Sequence, residues 1–213
     1  LFRSYQGLKL EVESLKHGVA GTLRIGVVPQ CSISLPLMLK AISDRYPQLD
    51  YRVAVLSADQ LLDALNSHTV DVGIGFFELA TLRELHFQAE ALEDNGVELL
   101  YHPQHFPQLN DSEPLTLGQL AELPLCLAEP TRYFRRYIDG HLREAGLSLR
   151  VIMETTSVFQ LLQAVQVGLG CLIAPAGHLL PAMTPELKSR QLLIAPMTRH
   201  AAVVIAEPGR ATP

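Results

Sequence analysis

The sequence predicts an α/β fold built from two βαβαβ lobes. Apolar runs of strand length alternate with segments of helical periodicity over residues 23–75, and the same alternation returns over residues 125–174. Two similar stretches, SADQLLDAL from Ser57 and SVFQLLQAV from Ser157, open one helix in each half. Such alternation favours parallel sheets covered by helices. Two lobes of this kind, joined by strands passing between them, leave a cleft at the carboxyl ends of the strands.

The first lobe begins with a strand over residues 23–28. The helix that follows has an apolar face with helical spacing, formed by Leu35, Met38, Leu39, Ile42 and Tyr46. It ends before Pro47, because the residue preceding a proline is disfavoured in the α region. A strand over 51–56, a helix over 59–67 and a strand over 70–75 complete the first βαβαβ unit.

The middle of the chain departs from this alternation of strands and helices. Alternating residues over 85–91, an Asn95-Gly96 turn and an apolar run over 97–101 predict a hairpin. The second unit then has predicted strands over 125–128, 149–154 and 171–174 and predicted helices over 132–145 and 158–167. A further strand is expected over 201–206.

Hydroxyl side chains stand at the predicted helix starts that follow the parallel strands: Ser32 or Ser34, Ser57, Thr131 and Ser157. Gln60 and Gln160 complete the pattern of a capping box behind Ser57 and Ser157. Helix N-termini carry unpaired N–H groups and the positive end of the helix dipole, so they stabilise anions. The pattern therefore predicts a small anionic ligand held by neutral donors. Ordinary capping remains the alternative, since Ser and Thr are preferred N-caps in all proteins.

Composition excludes several classes of function. The formal net charge of −5, without any run of Lys or Arg, argues against direct nucleic-acid binding by this chain. No apolar run approaches the roughly 20 residues that span a bilayer, and no secretory signal opens the sequence, so we expect a cytoplasmic location and no membrane contact. Cys31, Cys126 and Cys171 are odd in number and widely spaced, which favours reduced thiols.

The sequence offers no machinery for catalysis. It contains no GxSxG elbow, no HExxH and no phosphate-binding loop with its lysine, so we predict that the chain is not an enzyme and needs no cofactor. His102 and His105 lack a third metal ligand nearby. Arg132, Arg135 and Arg136 are expected on a solvated helix face, with Arg132 alone near enough to the cleft to balance an anion.

The first 18 residues have the pattern of a helix that needs a partner. Their apolar stripe has coiled-coil spacing and consists of Leu1, Tyr5, Leu8, Val12 and Leu15. About two heptads are too short to be stable alone in water. The stripe favours pairing with another helix, and packing on its own domain is the alternative.

Several motifs, in this order, resemble the effector-binding domain of LysR-type transcriptional regulators over most of residues 1–206. They are GTLRIG from Gly21, Tyr46-Pro47, VDVGIG from Val70, Tyr101-His102-Pro103 and VGLGCLIAP from Val167. The resemblance implies a fold like type II periplasmic binding proteins, with two crossover strands near 75–78 and 194–198. It implies that 1–18 is the end of a linker helix, that 21–76 and 198–213 form lobe I, and that 77–197 form lobe II.

The same resemblance implies a small-molecule effector, a homodimer or homotetramer, and DNA contact only through a winged helix-turn-helix domain that this chain lacks. The effector contacts it implies are Gln30, Cys31, Ser32, Ile33, Ser57, Phe76, Thr131 and Ser157. One departure is the ending EPGRATP, where the family usually closes its first lobe with a helix. A transport-type solute-binding protein and an enzyme on the same scaffold remain the alternatives.

Overall fold

The structure is a computed structural model that describes residues 20–29, 34–92, 96–111, 113–177, 184–195 and 200–206. Its contacts divide the chain into two compact units, residues 1–94 with 198–213 and residues 95–197. The predicted linker helix over 1–18 lies outside the described residues. No helix within those ranges has the length and hydropathy needed to cross a bilayer.

The first unit is a sheet with helices. Its strands are β1 (Ala20–Val27), β2 (Gln48–Val55), β3 (Val72–Phe77), β4 (Phe87–Ala91) and β10 (His200–Ala206). Its helices are α1 (Leu35–Arg45), α2 (Ala58–Asn66) and α3 (Leu79–Glu84). The strand order is β2-β1-β3-β10-β4. The first three strands are parallel, and β10 runs antiparallel to both of its neighbours. The βαβαβ prediction for this half is confirmed.

Helix α2 packs closely on this sheet because two strand residues have no side chain. A Cβ on Gly26 would lie 2.3 Å from Leu61 Cδ1, and one on Gly73 would lie 2.9 Å from Leu65 Cδ1. Leu61 and Leu65 are both fully buried. The glycines in the strands therefore make room for the leucines of the helix that follows β2.

The second unit repeats this arrangement. Its strands are β5 (Val97–Tyr101), β6 (Pro124–Ala128), β7 (Arg150–Thr155), β8 (Leu172–Pro175) and β9 (Lys188–Gln191). Its helices are a 3-10 turn (Pro107–Leu109), α4 (Leu117–Ala121), α5 (Tyr133–Glu144) and α6 (Val158–Gln166).

These strands form two hydrogen-bonded groups, β8-β5-β9 and β6-β7, which are linked by a single parallel bridge between Leu125 and Cys171. The resulting order, β7-β6-β8-β5-β9, matches that of the first sheet, with β5 in the place of β10. The second βαβαβ prediction is therefore also confirmed.

The predicted hairpin over residues 85–101 is wrong. Strand β4 pairs with β10 in the first sheet, whereas β5 pairs with β8 and β9 in the second. Alternating hydrophobicity identifies a strand with one buried face, but it does not identify the partner strand. The first unit extends to residue 94 and the second begins at residue 95. The lobe boundary after Phe76 that the resemblance implies stays a prediction.

Candidate ligand-binding site

The carboxyl ends of β1, β2 and β3 share one edge of the first sheet, because these three strands are parallel. Gln30, Cys31, Ser32 and Ile33 follow β1 and lie outside the described residues. Ser34 is the N-cap of α1, as one alternative of the prediction had it, but its side chain makes no capping hydrogen bond.

Ser57 lies at the same edge, directly after β2, and caps α2. Its Oγ accepts from the Gln60 N–H at 3.3 Å, and the Gln60 side chain accepts from the Ser57 N–H at 3.0 Å. This reciprocal pair is the predicted capping box. Since the backbone uses an acceptor site on Oγ, the hydroxyl hydrogen remains available as a donor.

Phe76, near the end of β3, is a core residue. It is 3% exposed, and every residue of β3 is buried. Its register partner is Ala201 of β10. A ligand could reach this ring only where its neighbours move aside.

In the second unit, Thr131 and Ser157 follow the neighbouring parallel strands β6 and β7 and so share an edge of that sheet. Thr131 is exposed, but it is not the N-cap of α5: that position belongs to Arg132, whose side chain makes no cap bond. The helix therefore begins one residue later than the predicted start at residue 132, and the role of Thr131 as a ligand contact stays a prediction. Its hydroxyl makes no hydrogen bond to another described residue and extends from the loop between Glu129 and the helix.

Ser157 caps α6 in only half of the predicted way. Its Oγ accepts from the Gln160 N–H at 3.4 Å. The Ser157 N–H donates to Thr155 Oγ1 at 3.2 Å, and the Gln160 amide donates to Gln163 instead of closing the box. A complete box that the prediction missed, formed by Thr116 and Gln119, caps α4.

Arg135 is buried, contrary to the prediction that it lies on a solvated face. Only 8% of the residue is exposed. Its guanidinium donates to the Ala128 carbonyl at 2.8 Å, to Glu154 at 2.7 Å and to Asp139 at 2.9 Å. Arg135 thus ties α5 to the ends of β6 and β7, from which Thr131 and Ser157 follow.

At most of these helix starts, no acidic side chain offsets the positive end of the helix dipole. The first turns of α1, α5 and α6 contain no acidic residue, whereas α2 carries Asp59 in its first turn. Arg132, the cation expected to balance an anion, already pairs with Glu129 at 3.2 Å. Any attraction for an anion at this edge therefore rests mainly on backbone N–H groups and the helix dipoles.

One carboxyl group near the carboxyl ends of the parallel strands in the second sheet was not predicted from the sequence. Glu98 lies in β5 opposite Ala174, near the carboxyl end of β8, and is half-buried. Desolvation raises the pKa of Glu98, although hydrogen bonds from Ser189 and from the Gly177 N–H act in the opposite direction. A lone Glu in a strand gives no sequence signal for this placement.

Metal binding and thiol chemistry find no support in the described part of the chain. No group of three or more His, Cys, Asp and Glu side chains there could hold a metal ion. The rings of His102 and His105 contact each other with their centroids 4.8 Å apart and their planes tilted by 59°. Cys126 and Cys171 are buried free thiols, as predicted. Burial raises the pKa of both, that of Cys171 to about 12, so neither is a reactive thiolate at neutral pH.

Two matched sheets whose parallel strands end on helix starts define a two-unit protein of the α/β class. Residues 16–213 match the family model described as the LysR substrate binding domain. The chain belongs to this family, which confirms the resemblance, the fold class and the prediction that the chain is not an enzyme. The match also favours the regulatory interpretation over the transport alternative.

Known relatives agree with this assignment. The chain is 26% identical over 191 residues to the RuBisCO operon transcriptional regulator of Allochromatium vinosum, covering 90% of this chain and 60% of that protein. The regulatory domain of CcmR from Synechocystis PCC6803, solved with 2-PG, superposes with a TM-score of 0.71 at 18% identity, covering 90% of each chain. The BenM effector-binding domain with its effector benzoate gives 0.67 at 19% identity, covering 90% and 85%. The chain therefore spans less than two thirds of the curated regulator, and the two superpositions establish the fold.

Proposed function

We propose that this chain is the effector-sensing domain of a LysR-type transcriptional regulator that binds a small anionic metabolite in a cleft between its two lobes. One observation carries the proposal: in each unit a serine-capped helix start follows the carboxyl end of a parallel strand. These are the positions where open α/β sheets bind ligands. The bound small molecules named for the CcmR and BenM domains are consistent with it.

The chemistry of the helix starts favours a carboxylate or phosphate. Ser57 and Ser157 use an acceptor site of Oγ for the cap, so each hydroxyl can donate a hydrogen bond to an oxyanion. The first turns of α5 and α6 contain no acidic residue, so the positive ends of their helix dipoles also attract an anion. Glu98 at the same edge of the second sheet disfavours a second negative group there. A ligand that combines one anionic group with hydroxyl or amine donors fits this set best.

Ligand binding can regulate only through different affinities for two arrangements of the lobes. We expect the effector to favour one angle between them and so to change how a homodimer or homotetramer presents its DNA-binding domains. This chain then contacts DNA only through such a domain in the full regulator, and the regulator acts in the cytoplasm.

Isothermal titration calorimetry with small carboxylates and phosphorylated compounds, starting from benzoate and 2-PG, tests the proposal. Once a ligand is found, Thr131→Ala and Ser57→Ala should each weaken binding about 10- to 100-fold, the effect of one hydrogen bond to a charged group. Thr116→Ala is the matched control, because it removes a capping hydroxyl that is not among the predicted contacts. Unchanged affinity in both Thr131→Ala and Ser57→Ala would remove the site assignment.

A further inference from the structure

The second unit contains a buried cation that has no carboxylate partner among the described residues. Arg190 of β9 is 7% exposed. Its Nε donates at 2.8 Å to the carbonyl oxygen of Glu113, and one Nη2 hydrogen donates to the same oxygen. None of the carboxylates in the described part of the chain lies within the 4 Å that would make an ion pair with Arg190. A buried charge is normally neutralised by an ion pair, because desolvation without one is costly.

Arg135 shows how this chain compensates a comparable charge. It is buried to the same degree, yet its guanidinium contacts the carboxylates of Asp139 and Glu154 as well as a carbonyl. Among the described residues, Arg190 contacts only the neutral carbonyl of Glu113. The difference identifies Arg190 as a cation whose counter-charge is not supplied by the described protein groups.

The remaining hydrogen-bond donors of Arg190 point to where that counter-charge would bind. Two of its five N–H groups, on the Nε side of the guanidinium, are used by Glu113. The opposite edge, with Nη1 and the second Nη2 hydrogen, makes no hydrogen bond to a described residue. No fully buried side-chain nitrogen or oxygen in the described ranges lacks a hydrogen-bond partner, so Nη1 keeps some contact with solvent. A guanidinium edge of this kind fits the two oxygens of a carboxylate or phosphate.

The surroundings are polar and contain charges of both signs. Lys188 lies two residues before Arg190 on the same face of β9, and it is exposed and opposite Tyr101 in the register. Tyr101 is 2% exposed, and its hydroxyl donates to the Leu109 carbonyl at 2.6 Å. Burial raises the pKa of Tyr101, while the nearby charge of Arg190 acts against that rise. The Asp111 carboxylate accepts from the Glu113 N–H, beyond ion-pair distance of Arg190.

We propose that Arg190 is the core of a second, oxyanion-binding site on the face of the second sheet, where a small carboxylate or phosphate binds the free guanidinium edge. The site is separate from the strand ends that carry Thr131 and Ser157, because Arg190 pairs with Leu99 in the interior of β5. It does not rest on the proposed effector function. Occupancy neutralises the buried charge and stabilises the contact between β9 and residue 113.

Thermal unfolding at constant ionic strength tests this site with acetate and inorganic phosphate as probes and chloride as the balancing anion. A ligand that binds only the folded state raises Tm with the logarithm of its concentration once it exceeds Kd. We expect wild-type Tm to rise in this saturable way, by about 3 °C or more at tens of Kd. Lys188→Met, which removes a cation from the same face but keeps the guanidinium, should retain most of the rise. Arg190→Met should abolish it, and Arg190→Lys, which lacks the planar fork, should lose at least half.

Equal Tm values in acetate, phosphate and chloride would overturn the proposal, and so would a full oxyanion response in Arg190→Met. If Arg190→Met does not fold, NMR of the arginine side-chain N–H groups in the wild type tests the site instead. The Arg190 signal is identified as the one that is absent from the spectrum of Arg190→Lys. This signal must shift during an acetate titration, and the shift must saturate. A signal that does not move refutes the site.

Discussion

Gly170 allows the two parts of the second sheet to join, and replacing it with alanine tests this packing. The residue precedes Cys171, whose N–H donates to the Pro124 carbonyl at 2.8 Å and whose carbonyl accepts from the Cys126 N–H at 2.9 Å. A Cβ on Gly170 would lie 2.7 Å from the Pro124 oxygen and 3.0 Å from Cys126 Sγ. Both contacts are too close, and a backbone oxygen cannot move aside as a flexible side chain can.

The expected cost follows from those contacts. Overpacking of this kind costs about 1–3 kcal/mol, and weakening the hydrogen bond to Pro124 adds about 1 kcal/mol. We therefore expect Gly170→Ala to lower the free energy of unfolding by about 2–4 kcal/mol, with a fall in Tm of about 4–16 °C. Gly140→Ala is the matched control, since a Cβ there meets nothing within 4 Å and Gly140 lies inside α5. It should stabilise the protein by about 0.5–1 kcal/mol.

Urea denaturation followed by circular dichroism measures both variants under the same conditions. Both variants replace glycine with alanine. If the free energy of unfolding falls in Gly170→Ala and rises in Gly140→Ala, the packing around Gly170 is the cause of its effect on stability. If Gly170→Ala is neutral while Gly140→Ala stabilises as expected, the account of the junction between β6 and β8 is refuted.

Three further predictions concern single groups. Ser57→Ala should lower the free energy of unfolding by about 1 kcal/mol through loss of the α2 cap, measured by urea denaturation; no change would contradict the capping geometry. Burial alone would raise the pKa of Asp71, but its hydrogen bonds and charge interaction with Arg24 hold that pKa below its ordinary value. This stabilisation is present at neutral pH and is lost as the pH falls through the lowered pKa, so Asp71→Asn should cost about 0.5–1 kcal/mol at pH 7 and nothing in strong acid. Cys126 and Cys171 should resist a thiol reagent at pH 8 until the protein unfolds, and mass spectrometry showing prompt labelling of either would refute their burial.

The sequence predicted the local elements well because their signals are local. The helix beginning at Leu35, the stop before Pro47 and the box at Ser57 each depend on residues within one turn, and all three are found. In the second unit, the predicted helices over 132–145 and 158–167 end next to Gly146 and Gly168, and both glycines adopt the positive φ that is common at helix ends. Local rules therefore placed the strand ends and helix starts at which the ligand is proposed to bind.

The failures concern partners that lie far away in the sequence. Nothing near β4 indicates that its partner is β10, more than 100 residues later. Arg135 lies on an arginine-rich helix that looks solvated, and only the fold brings Glu154 and the end of β6 around it. Arg190 and Glu98 likewise acquire their character from neighbouring strands. These positions need the tertiary structure because their chemistry is set by what surrounds them.

The strand order of the first sheet has a consequence for biosynthesis. Since β10 lies between β3 and β4, that sheet cannot be completed until residues 200–206 have left the ribosome, whereas residues 95–197 form one continuous unit that can fold earlier. A nascent chain paused near residue 197 would expose the edge of β3 and leave β4 without its strand partner. Unpaired edges of this kind promote aggregation, so this interval is when a chaperone would matter most.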